Sequence, residues 1–100
     1  MQPPVALTQE LVRFNTVNPP GAERVCAEYL ARLLEAAGFA VELVPFGERR
    51  AQVLARIGGN TEHAPLGFTG HLDTVPLGAQ PWSVDPFAAE IADGKLYGRG

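Results

Sequence analysis

An α/β fold, with a sheet covered on at least one face by helices, follows from three observations on these 100 residues. Two stretches near the start repeat apolar residues at helical spacing. Several later stretches are short, apolar or alternating, and are bounded by glycine and proline, as strands are. One of these, Leu66 to Leu72, runs into a polar turn that carries His71 and Asp73. Helices first and strands after give layered α/β architecture.

The first helix starts at Pro3-Pro4, because a proline in the first turn loses no hydrogen bond. Leu7, Leu11 and Phe14 continue at helical spacing, and Asn18-Pro19-Pro20-Gly21 stops the helix near Asn15. The second helix spans about Ala22 to Ala37. Val25, Cys26, Tyr29, Leu30, Leu33, Leu34 and Ala37 form its apolar stripe, and Glu23, Arg24, Glu28, Arg32 and Glu35 cover the other side. Glu28 and Arg32 are placed to pair at i, i+4, worth about 0.3 kcal/mol. Gly38 is the expected left-handed cap, with Phe39 folding back behind it.

Ala40 to Val44 reads as a strand between Gly38 and Pro45. Ala51 to Ile57 alternates Ala51, Val53, Ala55 and Ile57 against Gln52, Leu54 and Arg56, the period of a strand with one buried face. The stretch 58–65 is a polar loop, and Leu66 to Leu72 is expected to be a buried strand. A loop carrying Trp82 runs from Val75 to Pro86. Phe87 to Ala92 and Lys95 to Tyr97 flank Asp93-Gly94, the dipeptide of a tight hairpin turn.

Composition narrows the function classes. The chain is 46% hydrophobic and 19% charged with a net charge of -3, so it lacks the basic face that nucleic acid requires. It holds no apolar run long enough to cross a membrane, and Met1-Gln2-Pro3-Pro4 lacks the pattern of a secretory leader. One cysteine, Cys26, leaves no internal disulfide and suits a reducing compartment, so a cytoplasmic protein is expected.

Open α/β sheets place their sites where strands feed polar loops at their carboxyl ends. His71 and Asp73 lie at such an end, two residues apart, so an extended backbone turns both to one face. His71 is either a metal ligand or a histidine hydrogen-bonded at a strand end. Asp73 is either the partner of its second ring nitrogen or the cap of the following turn. Gly70 permits close backbone approach and Pro76 fixes the exit of the loop. His63 reads as solvated surface and Cys26 as a small buried hydrophobe; Trp82 either covers the strand-end crevice or packs its loop down, and packing is the expectation. Arg99 holds either an anion or a surface carboxylate, and Glu48-Arg49-Arg50 reads as a solvated turn. A catalytic zinc needs about three protein ligands, and His71 alone is a strong candidate, so a metal site within residues 1–100 is incomplete. Leu96-Tyr97-Gly98-Arg99-Gly100 reads as a strand running into a glycine turn, and the N-terminal part of something longer is expected.

Taken together, Gly70-His71-Leu72-Asp73-Thr74-Val75-Pro76, Trp82, Asp85-Pro86-Phe87 and Asp93-Gly94-Lys95-Leu96-Tyr97-Gly98-Arg99-Gly100 resemble the N-terminal part of the co-catalytic zinc amidohydrolases and peptidases. That group includes acetylornithine deacetylase, succinyl-diaminopimelate desuccinylase, aminoacylase and glutamate carboxypeptidase. Thr16-Val17-Asn18-Pro19-Pro20-Gly21 is similar to the turn after their first helix. The resemblance implies a zinc-exopeptidase-like catalytic domain with a mixed sheet flanked by helices, of which residues 1–100 would be the first portion. The rest of that domain, and a lid or dimerisation domain that makes a homodimer, would lie beyond residue 100.

By the same resemblance His71 matches a zinc ligand, and Asp73 matches the catalytic-site aspartate that orients it. The implied cofactor is zinc, two ions per site, with cobalt(II) as a substitute. The implied reaction is hydrolysis of the amide bond of an N-acyl amino acid or small peptide, through water activated by the two metals and a glutamate base. The bridging aspartate, the glutamate and the other ligands fall outside residues 1–100. Two other readings remain: a metal-dependent aminopeptidase of related fold, and a non-catalytic relative that keeps the fold as a binding scaffold.

Overall fold

The computed structural model describes residues 2–100. In chain order the elements are α1 (Pro4–Val12), α2 (Arg24–Ala36), β1 (Ala40–Pro45), β2 (Ala51–Arg56), β3 (Ile91–Ala92) and β4 (Lys95–Leu96). The α/β class therefore holds, with antiparallel pairing in two small sheets, β1–β2 and β3–β4.

Helix α1 begins at its prolines as expected. It ends at Val12, short of Asn15, and its exit is tied to the far end of the chain. Arg99 donates from Nη1 to the Val12 carbonyl at 2.8 Å and from Nη2 to the Phe14 carbonyl. The Val12 carbonyl is one that a helix end leaves without an intrahelical partner, and Phe14 follows the Arg13 cap. Arg99 also lies over the Phe87 ring at 4.3 Å. The anion or surface carboxylate expected for Arg99 is thus replaced by main-chain oxygens. Gln9 completes the strap by donating to the Ala89 carbonyl at 2.8 Å.

Helix α2 ends in the expected manner. Gly38 adopts a φ of 93°, its N–H donates to the Glu35 carbonyl, and the Phe39 N–H donates to the Leu34 carbonyl, both at 3.0 Å. That pair of bonds is the Schellman arrangement. The buried centre of the helix lies at Cys26 and Ala27. Two expectations fail at its start. Val25, placed on the apolar stripe, is 61% exposed, because the face that packs is centred one and two residues further on. Glu23, placed on the solvent side, is only 3% exposed. It flanks the helix, where periodicity no longer governs direction, and it is drawn inward by Arg50. Glu28 pairs back to Arg24 at 3.2 Å, not forward to Arg32.

The β1–β2 hairpin pairs Val41 with Ala55, Leu43 with Val53 and Pro45 with Ala51. Along β2, Ala51, Val53 and Ala55 are covered while Gln52, Leu54 and Arg56 are exposed, the alternation that the sequence predicts. Helix α2 packs on both strands.

The stretch 66–72 departs most from expectation. It forms no ladder, and Leu66 and Phe68 are 82% and 91% exposed. Its apolar pattern matches a strand, but a strand exists only through its neighbours, and no described segment hydrogen-bonds along it. A cleft of about 650 Å³ separates residues 68–73 from β2, with α2 closing one side. The chain is pinned just after this stretch. The Thr74 N–H donates to the Thr16 carbonyl at 3.0 Å and the Asn18 N–H to the Thr74 carbonyl at 2.8 Å, making a parallel bridge between Val17 and Thr74.

Asp93 and Gly94 both have positive φ, 51° and 72°, as a type I′ turn demands, and they close β3 onto β4. Trp82, expected to pack its loop down, is 42% exposed. The buried apolar residues are small ones, Cys26, Ala27, Ala51 and Ala89, and no large side chain is fully buried among the described residues. No helix of the described residues is long and apolar enough to cross a membrane.

Candidate functional site

His71 and Asp73 meet as their spacing suggests. The His71 Nδ1 lies 2.9 Å from Asp73 Oδ1 and 2.9 Å from the Asp73 carbonyl oxygen. Both neighbours are acceptors, because the carboxylate is ionised and a carbonyl has no proton to give. Nδ1 must therefore carry the hydrogen, which leaves the lone pair of the neutral ring on Nε2. The side chain is 81% exposed and borders the cleft against β2.

Asp73 is held from a second direction. Asn18 Nδ2 donates to Asp73 Oδ2 at 3.0 Å, and Arg50 Nη2 approaches the same oxygen to 3.9 Å. The Asn18 amide, and after it His71, hold the Asp73 carboxyl below its ordinary value. Its charged form is the one these donors bind. Arg50 is anchored in turn. Its Nε and Nη2 reach the two carboxylate oxygens of buried Glu23 at 2.9 Å each, and its guanidinium stacks on Phe46 at 4.8 Å. The hydrogen bond to Glu23 pushes the Arg50 guanidinium up from its ordinary value.

Each of these side chains comes from a different segment. Asn18 sits in the turn after α1 and Glu23 at the entry to α2. Arg50 sits at the entry to β2, and Asp73 follows the exposed 66–72 stretch. Gly21 is required for their approach: its φ is 79°, and a Cβ there would lie 2.8 Å from Arg50 Nε.

The sequence points to the meeting of His71 and Asp73 and does not mark the other three side chains gathered around them. Arg50 was expected to be a solvated turn residue and Glu23 a solvated helix residue, and Asn18 served only as a helix breaker. The available signal was weak: one cation at the base of a hairpin and one acid behind a Pro-Pro-Gly turn. Cys26 is buried, and burial pushes its thiol up, so it is held as a small hydrophobe and not as a nucleophile. His63 is exposed on its loop.

The donor set fits one corner of a metal site. A neutral imidazole whose second nitrogen is bonded to a carboxylate is a common zinc-ligand arrangement. No three His, Cys, Asp or Glu side chains converge as metal ligands among the described residues.

Residues 67–100 match the family model described as Peptidase family M20/M25/M40. The chain is similar to the succinyl-diaminopimelate desuccinylase of Acidiphilium cryptum (strain JF-5), 46% identical over 99 residues, covering 97% of this chain and 24% of the relative. It is 46% identical over 102 residues to the desuccinylase of Granulibacter bethesdensis, covering 100% of this chain and 25% of that protein. The protein of the same name from Wolbachia pipientis wMel is 36% identical over 98 residues, covering 97% of this chain and 24% of its own length. The chain thus spans about a quarter of the length of the curated relatives it matches.

Proposed function

We propose, for a chain that belongs with the M20/M25/M40 peptidases and matches their N-terminal part, that the whole protein is a metal-dependent amidohydrolase. In this reading residues 1–100 form one portion of its catalytic domain. The observation that carries it is the His71–Asp73 pair within the matched segment: Nδ1 fixed by the carboxylate at 2.9 Å, and Nε2 free on an exposed ring.

In this reading His71 holds a zinc ion through Nε2. Bound zinc would supply Lewis acidity toward an amide carbonyl and lower the pKa of water. Asp73 keeps the Nδ1 proton in place, so the ring presents a lone pair and not an N–H to the metal. Its negative charge also raises the basicity of the ligand nitrogen. Asn18 keeps Asp73 from swinging away. The exposed side of His71 is the side from which further ligands and substrate would approach. The names of the relatives favour a small N-acyl amino acid, with a succinylated diamino acid the first to assay.

The test is His71→Ala in a full-length protein carrying this chain, with zinc content and hydrolysis of N-acyl amino acids measured together. The expected outcome is loss of one equivalent of zinc or more, and of nearly all hydrolysis. Unchanged zinc stoichiometry and turnover would remove His71 from the site. A substrate panel with free and acylated amino termini separates the amidohydrolase from an aminopeptidase, and no turnover on any of them would favour a scaffold.

A further inference from the structure

We infer that Glu23, Arg50 and Asn18 form the positioning device of Asp73, fixing which of its oxygens faces His71. The inference rests on the reading of His71 as a metal ligand. A carboxylate is planar, so fixing one oxygen fixes the direction of the other. Asp73 Oδ2 receives the Asn18 amide at 3.0 Å and faces Arg50 Nη2 at 3.9 Å. Oδ1 is left to accept from His71 Nδ1 at 2.9 Å. Without those donors the carboxylate would be freer to rotate, and the ring would keep only the Asp73 main-chain carbonyl, also 2.9 Å from Nδ1, to hold its plane and tautomer.

Arg50 can do this only because it is itself immobilised. A lone surface arginine at 3.9 Å would contribute little, since a long side chain loses rotamer freedom to hold one geometry. Here the guanidinium is forked onto Glu23 with bonds of 2.9 Å, and Glu23 is 3% exposed. Phe46 covers the guanidinium on one face at 4.8 Å. Burying a carboxylate is costly unless it is paired, so the pair locks both partners. A planar fork matched to a carboxylate is a geometry that lysine cannot copy. Gly21 leaves the passage through which the guanidinium reaches inward, since a Cβ there would meet Nε at 2.8 Å. Two charges therefore support Asp73, Arg50 directly at 3.9 Å and Glu23 through its hold on Arg50.

The experiment uses the full-length protein with Arg50→Met, Arg50→Lys and Asn18→Ala, beside His71→Ala. Zinc affinity is measured by competition with a chromophoric chelator, and the His71 tautomer by ring ¹⁵N shifts in the metal-free protein. The values of kcat and KM are followed separately, and folding is checked by circular dichroism. Loss of the carboxylate that holds a ligating histidine lowers metal affinity by about tenfold or more, and loss of a residue that positions that carboxylate should cost part of that. Arg50→Met is expected to show that partial loss, a reduced share of the Nδ1–H tautomer, and a fall in kcat with KM little changed. Arg50→Lys should recover only part of it. If Arg50→Met does not fold, the same readouts on Asn18→Ala decide. Folded variants with wild-type zinc affinity and wild-type tautomer would overturn the inference while His71→Ala still loses zinc. Should His71→Ala itself keep its zinc, the ligand reading fails first.

Discussion

At Gly98 a Cβ would lie 2.8 Å from Val12 Cγ1, and the adjoining Arg99 holds the carbonyl of that same Val12. The two residues act together: one lets the strand end come close to α1, and the other bonds to the helix end once it is there. Gly98→Ala should therefore destabilise by about 1–3 kcal/mol through overpacking. Val12→Ala in the same chain should relieve part of that loss, a non-additivity that thermal unfolding of the single and double variants would show. At this scale the sequence was legible where partners are neighbours. His71 and Asp73 are two residues apart, and the backbone period alone brings them together. Asn18 and Asp73 are 55 residues apart, and Glu23 and Arg50 are 27. No local pattern marks such pairs, so Glu23 reads as one more acid beside Arg24 and Glu28. Arg99 shows the same limit, because its partners are backbone oxygens, which no residue name reveals.

The elements that the sequence predicts well are those closed by their own ends. Helix α2 stops where Gly38 takes a φ of 93° and its last carbonyls are bonded by Gly38 and Phe39. Gly38→Ala should cost about 1 kcal/mol, since an L-residue pays for the left-handed conformation. A shift of the denaturation midpoint without a change of slope would check it. No neighbour lies within 4 Å of a Cβ at Gly38, so the loss measures conformation alone. The β1–β2 hairpin and the Asp93-Gly94 turn are legible for the same reason: alternation and turn chemistry are local. The stretch 66–72 has the apolar pattern of a strand and none of the pairing. Its pattern describes the surface it could present to neighbours, and the described residues do not include a strand beside it. The expectation of a buried strand confused a capacity for pairing with its fulfilment.

The described chain measures 52 × 36 × 22 Å, and its buried centre consists of small residues. Leu54, Leu66 and Phe68 are exposed, and among the described residues the edge of β2 away from β1 carries no strand. Unpaired edges beside exposed apolar side chains are templates for association. Residues 1–100 alone should therefore self-associate as concentration rises. Phe68→Lys should reduce the association, with light scattering as the measurement.

Catalysis sets a stricter condition than solubility does. A hydrolytic zinc needs about three protein donors and an open position, and among the described residues no three candidate donors converge. One imidazole, however well oriented by Asp73, binds a divalent ion too weakly to hold it through a reaction cycle. The same 100 residues, supplied with zinc, should hydrolyse N-acyl amino acids no faster than buffer containing the metal does. The assay compares initial rates with and without a chelator. Robust chelator-sensitive turnover by residues 1–100 would mean that donors other than His71 complete a site within the chain, and that His71 is not a single arm of a larger one.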